Sequence, residues 1–146
     1  MSVLWSAVLV LHLLSIIYWV GGGIFSLQMG RITRLLEPTQ KSAIQLQAMT
    51  RYFRALCHVV PVALVTGVIL FIHDGGVGIS WPYHVMALCA ALMAILFLVT
   101  FFGPFQKLRR ALRPQPDLFT ASHRRILSMT ILGLVAAAMG AIGHFA

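Results

Sequence analysis

The residues of this sequence best suited to binding a metal or a haem are its six histidines. His12 stands out because it lies inside the apolar run LHLLSIIYWVGGG, with no charged residue nearby. Ionisable side chains at membrane depth are rare and usually functional. His73, His84 and His144 lie at the ends of three other apolar runs, on the side of the membrane that the charge pattern also assigns to His12. Imidazoles from four helices in one half of a bundle favour a metal or haem site.

Two sets of donors follow from these residues. For haem b, His12 is the first axial ligand, and His84 or Met86 from the start of the third run is the second. Trp19 and Gly22 share the His12 face and could line a porphyrin pocket. The alternative is a copper site, because soft sulfur donors suit Cu(I). The residues of this alternative site are Met86, Cys89, Met93, His73 and His144.

A third interpretation needs no cofactor. Methionine and cysteine are ordinary packing residues, and those of the third run are spaced so that they share one helix face. The histidines of a membrane scaffold would only donate hydrogen bonds between helices, at ~0.6 kcal/mol each. The residues alone leave haem binding, copper binding and this scaffold open.

Four apolar runs must position these side chains. The chain has 146 residues, of which 60% are hydrophobic and 10% charged, and its mean hydropathy is +0.91. Each run is near the ~20 residues that cross a bilayer as a helix, and we place the spans at about 4–29, 53–73, 82–105 and 126–145. We predict an all-α fold with a single domain over residues 1–146, an integral membrane antiparallel four-helix bundle. A short amphipathic cytoplasmic helix is expected between helices one and two.

The charged residues predict the orientation of this bundle. All eleven Lys and Arg lie in or beside the first and third connections. They are Arg31, Arg34, Lys41, Arg51, Arg54, Lys107, Arg109, Arg110, Arg113, Arg124 and Arg125. The positive-inside rule puts these two connections in the cytoplasm and both termini outside. Basic loops of this kind anchor the topology and attract anionic lipid, so we predict membrane lipid as a partner and no nucleic acid.

Several other classes of site are excluded by composition. Glu37, Asp74 and Asp117 are the only acids, too few for a carboxylate-based hydrolase or a hard-cation cage. Cys57 and Cys89 both lie inside predicted spans, which argues against a structural disulfide. There is also no glycine-rich phosphate loop and no nucleophile motif.

Four segments carry a resemblance to a known family. LHLLSIIYWVGGG, RYFRAL, YHVMALCAALM and FFGPFQKLRRAL resemble segments of the small four-helix membrane proteins of the copper-resistance protein D family. The chain is also similar in size and helix number to the related membrane protoporphyrinogen oxidases of bacteria, which bind haem. The resemblance extends over nearly the whole chain and implies a multi-pass protein of the bacterial inner (plasma) membrane.

The resemblance also implies a ligand and a departure from the oxidase pattern. His12 matches the histidine of helix one that is the expected haem ligand in the oxidases. A lysine is expected near the start of helix three in a His-x-Lys setting, where this chain has Met86 after His84 and Val85. This difference weighs against porphyrinogen oxidation and is compatible with His/Met ligation, which would raise the haem potential. A role in electron transfer or as a haem-dependent oxidoreductase is implied, with a redox protein or a quinone as partner and homo-oligomers as a further expectation.

Overall fold

Helices make up almost the whole structure, a computed structural model that describes residues 2–111 and 116–145. The helices are α1 (Val3–Ile32), α2 (Pro38–His73), α3 (Trp81–Phe102), α4 (Pro104–Arg110) and α5 (Pro116–Phe145), and a 3-10 turn spans Gly76–Gly78. No strand occurs in the described ranges. Four helical segments, with α3 and α4 counted together, are long and apolar enough to cross a membrane. The predicted all-α class and its four apolar helices are therefore confirmed. Arg113 lies outside the described residues.

The amphipathic segment after Pro38 is helical, but the prediction that it forms a separate helix is wrong. It continues into α2, which has 36 residues and is therefore about 54 Å long, well beyond the ~30 Å of a bilayer's hydrocarbon core. Pro38 lies in the first turn, where its missing N–H has no helical partner to lose. From Met49 to Thr66 a buried residue recurs every three or four positions. This continuous buried stripe stabilises one long helix across the predicted boundary.

The third helix ends earlier than predicted, at Phe102. Gly103 leaves the helical conformation, with φ −105° and ψ −108°. Pro104 explains this break, because a proline disfavours the helical conformation in the residue before it. A Cβ at Gly103 would lie 2.6 Å from the Val99 carbonyl oxygen, so the bend requires glycine. The chain then continues as α4, which packs against α5 and α3.

The last helix begins earlier than predicted. α5 is already helical at Pro116, whereas the predicted span begins near residue 126. Asp117 in the first turn complements the positive end of the helix dipole. Thr120 lies inside the helix and donates a hydrogen bond to the Pro116 carbonyl (3.0 Å). Ser122 is fully buried inside α5.

The packing of the helices defines two ends of the bundle. α3 packs most extensively on α5, and α1 packs on α2 and α5, whereas α2 and α3 make few contacts. At one end, the histidine end, the Trp5 and His73 rings lie 3.7 Å apart and His84 packs against Phe71. At the other, the basic end, the last turns of α1 lie beside Gln45 and Met49 of α2 and the N-terminal part of α5.

A buried hydrogen bond joins α1 to α2 near the middle of the bundle. Tyr52 Oη donates to the Trp19 carbonyl oxygen at 2.6 Å. The Tyr52 ring reaches it by passing over Gly22, where an added Cβ would lie 2.7 Å from the ring. Trp19 itself is fully buried, and its Nε1 has no hydrogen-bond partner among the described residues. Gly22 therefore serves the approach of a tyrosine ring in this structure.

Replacing Tyr52 with phenylalanine is expected to weaken this helix pair. The variant keeps the ring but loses one interhelical hydrogen bond, so the free energy of unfolding should fall by about 0.5–1.5 kcal/mol. Denaturant unfolding of the detergent-solubilised protein measures this change. Tyr18→Phe is the matched control, because Tyr18 is exposed on α1. Equal losses in the two variants would contradict a role for the Tyr52 hydroxyl.

Candidate functional site

His12 lies half-buried between α1 and α2, where α2 provides two acceptors for its ring. Its Nδ1 is 3.0 Å from the Ala63 carbonyl oxygen and 3.1 Å from Thr66 Oγ1. One turn further along α1, Ser15 is buried and donates to the Leu11 carbonyl at 2.8 Å. The buried residues of α1 are Ser15, Trp19 and Gly23, which lie at helical spacing on the face that also carries His12.

These contacts determine which ring nitrogen of His12 carries the proton. A carbonyl oxygen only accepts hydrogen bonds, so Nδ1 must donate to Ala63. The Thr66 hydroxyl already donates to the Val62 carbonyl at 2.6 Å, so it too acts as an acceptor toward His12. Neutral His12 therefore carries its proton on Nδ1 and a lone pair on Nε2. A histidine held through Nδ1–H in this way is oriented for an iron or other metal at Nε2.

The side of α2 that faces His12 consists of small residues. A Cβ on Gly67 would lie 3.0 Å from His12 Cε1, so the glycine leaves the space that the imidazole fills. Ala63, Thr66 and Gly67 were not among the sequence-predicted site residues. The sequence does contain a signal for them. Small and hydroxyl-bearing residues stand at positions 63, 66 and 67 of an apolar run, a pattern that is typical of close helix packing.

His84, on α3, packs against the same side of α2 as His12. Its ring packs edge-on against Phe71, with ring centroids 5.6 Å apart, and its Nε2 donates to the Val77 carbonyl at 3.2 Å. Phe71 lies four residues after Gly67 and therefore on the same face of α2. His12 and His84 thus contact one face of α2, about one helical turn apart.

Met86 points elsewhere, with the other sulfur residues of α3. A Cβ on Gly140 of α5 would lie 3.2 Å from Met86 Sδ, and Met93 Cε would be equally close to a Cβ on Gly133. Cys89 is buried between them. Glycines seven residues apart lie on one face of α5, so the sulfur side chains fill the space that these glycines leave. This arrangement is ordinary helix packing.

The remaining predicted metal ligands lie at the histidine end. His73 stacks on Trp5, and its Nδ1 is 3.1 Å from Asp74 Oδ1. His144 is exposed and packs against Phe145. Over residues 2–111 and 116–145, no three or more His, Cys, Asp or Glu side chains are grouped so that they could hold a metal ion.

Trp19 and Gly22 lie deeper in the bundle than His12. Trp19 follows His12 by seven residues, which is ~10 Å along the helix. Trp19 belongs to the buried core with Phe53, and Gly22 is covered by Tyr52. The residues in direct contact with the His12 ring are those of α2.

Comparisons of the chain with protein-family models, with curated proteins and with solved structures find no match. Its function is therefore argued from the geometry around His12 and from the distribution of charge.

Proposed function

We propose that this protein is a b-type haem protein of the bacterial inner membrane that transfers electrons, akin to the small four-helix proteins that it resembles. The observation that carries the proposal is the His12 side chain, whose Nδ1–H is held by Ala63 and Thr66. Its Nε2 keeps a lone pair on a helix that otherwise offers almost only apolar side chains at this depth. A neutral, oriented imidazole in such surroundings fits an axial ligand of haem iron.

The membrane orientation follows from the charges. The four helical segments cross the bilayer as an antiparallel bundle, with the basic end in the cytoplasm and both termini outside. His12 then lies in the outer half of the membrane, because it is nine residues after the start of α1 and so ~14 Å from it.

His84 would be the second residue that holds the haem iron. It borders the same face of α2 as His12, whereas Met86 packs on α5. α2 and α3 make few contacts with each other. The space between them is therefore the best place in the bundle for a planar haem. Ligation through Nδ1 would leave the His84 hydrogen bond to Val77 in place, and ligation through Nε2 would replace it.

The chain's own residues have distinct tasks in this function. When bound, haem supplies reversible one-electron transfer, with a quinone or a redox protein as the partner. His12 would hold the haem iron through Nε2, and Ala63 and Thr66 fix the orientation of its ring through Nδ1–H.

The visible spectrum of the full-length protein, purified in detergent from cells supplied with haem and copper, tests the proposal. We expect a Soret band that shifts on reduction with dithionite. His84→Ala should convert six-coordinate low-spin iron to a five-coordinate high-spin form, because one axial donor is lost.

Met86→Leu is the matched control and should leave the spectrum unchanged, since leucine fills a similar volume against Gly140. A spectral change in Met86→Leu without one in His84→Ala would contradict the assignment of His84. A colourless protein with stoichiometric copper would contradict haem binding altogether.

A further inference from the structure

A cavity of about 210 Å³ opens at the basic end, between the last turns of α1, the third and fourth turns of α2 and the N-terminal part of α5. Its lining combines polar and apolar side chains. The polar ones include Ser26, Gln45 and His123, and the apolar ones include Met29, Met49 and Phe119. The lining residues come from three helices, so the cavity depends on the assembled bundle. It lies at the opposite end from His12.

Cations lie close in sequence to the residues that line this cavity. Lys41 precedes Gln45 by four residues and so lies one turn away on the same face of α2. Arg31 directly follows a lining glycine, Gly30, and Arg124 directly follows His123. Among residues 2–111 and 116–145 no Lys or Arg side chain contacts a carboxylate, and the one contact of a basic with an acidic side chain is that of His73 with Asp74, at the other end of the molecule.

The charge balance at this end favours an anionic ligand. All eleven Lys and Arg of the sequence lie in or beside the first and third connections, together with only two acids, Glu37 and Asp117. Cations held without counter-ions at a membrane surface attract anionic lipid, at a depth where headgroups lie. The amide of Gln45, the hydroxyl of Ser26 and the imidazole of His123 can each donate a hydrogen bond to phosphate oxygens.

The size and the apolar lining restrict the ligand further. The volume is smaller than the roughly 300–1,000 Å³ of sites that enclose a drug-sized ligand. It suits a phosphate headgroup with its first glycerol carbons. Met29, Met49 and Phe119 provide the apolar surface for those carbons, and a free inorganic phosphate would leave this surface without a partner.

We propose that this cavity is a binding site for the phosphate headgroup of an acidic phospholipid from the cytoplasmic leaflet. The proposal rests on the membrane orientation given above and is independent of haem. Lys41 and Arg124 provide the charge, and Gln45 and His123 provide the directed hydrogen bonds. Bound lipid would join α1, α2 and α5 at the end where the basic connections meet.

Native mass spectrometry of the detergent-solubilised protein, titrated with phosphatidylglycerol or phosphatidylcholine, tests this site. We expect one phosphatidylglycerol held in preference to phosphatidylcholine. Lys41→Gln should weaken that binding about fivefold, as expected for one cation near a phosphate. Gly30→Leu should also weaken binding, because the leucine side chain would occupy part of the cavity beside Gln45 without changing the charge. The variant should still fold, since a Cβ at Gly30 meets no atom closer than 3.9 Å.

Arg54→Gln is the matched control for charge. Arg54 is exposed on α2 and lies nine residues after Gln45, on the opposite side of the helix, so its loss should change binding by less than about twofold. Equal losses in Lys41→Gln and Arg54→Gln would overturn the site in favour of diffuse attraction. Equal retention of the two lipids, or saturation by inorganic phosphate that excludes phosphatidylglycerol, would overturn the lipid assignment. The Soret band should be unchanged in Lys41→Gln, which separates this test from that of haem.

Discussion

Replacing His12 with alanine is expected to abolish the Soret band and to lower haem affinity by more than about 100-fold. The reason is specific to this ring. Its Nδ1 donates a hydrogen bond to the Ala63 carbonyl oxygen 3.0 Å away. The lone pair of Nε2 is therefore already oriented to bind iron before haem is bound. Alanine provides no donor atom, and no second histidine of α1 can replace His12. Absorbance and the pyridine haemochrome assay measure the loss.

His58→Ala is the matched control for this experiment. His58 is also a histidine of a helix that is long and apolar enough to cross a membrane, but it is exposed on α2 and was not assigned to the site. Its removal should leave the haem content unchanged. Imidazole added to a His12→Gly variant should restore part of the band, since the free base can occupy the space beside Gly67. A band that survives in His12→Ala and disappears in His58→Ala would assign the ligand to α2 and contradict the proposal.

The distribution of apolar and charged residues was sufficient to predict the four helices. Long apolar runs have few alternatives to a helix that satisfies its own backbone hydrogen bonds. The buried face of α1 was also predictable, because Ser15, Trp19 and Gly23 recur at helical spacing. The end of α2 at His73 agrees with the prediction, and its beginning does not. Arg51 and Arg54 mark where a membrane would end, whereas the buried stripe of α2 continues past them to Met49.

The surroundings of the candidate ligands could not be predicted from spacing. The acceptor of His12 is a backbone carbonyl 51 residues away, and only the packing of α1 on α2 determines it. The sulfur residues of α3 share a face whether they bind copper or only pack. Their contacts with Gly133 and Gly140 exist because α5 is the neighbouring helix. Spacing within one helix determines which residues share a face, but it does not determine which helix they meet.

Gly23→Ala is expected to lower the free energy of unfolding by about 1–3 kcal/mol, the usual cost of overpacking a filled interior. A Cβ at Gly23 would overlap Thr130 Oγ1 on α5 and lie 3.2 Å from Tyr52 Oη on α2. Both hydroxyls are engaged, Thr130 with the Ile126 carbonyl at 2.8 Å and Tyr52 with the Trp19 carbonyl. α1, α2 and α5 are therefore in close contact at Gly23. Moving Thr130 or Tyr52 away from an added methyl group would strain the hydrogen bond that its hydroxyl makes.

The triglycine segment itself contains the control for this experiment. A Cβ at Gly21 would meet no atom within 4 Å, so Gly21→Ala introduces no clash. It should stabilise α1 by up to about 1 kcal/mol, because alanine loses less backbone entropy than glycine in a helix. Thermal or denaturant unfolding in the same detergent compares the two variants. Equal effects would mean that the three glycines serve only backbone flexibility. Opposite signs, two residues apart, would show that Gly23 is required by the contact of α1 with α2 and α5.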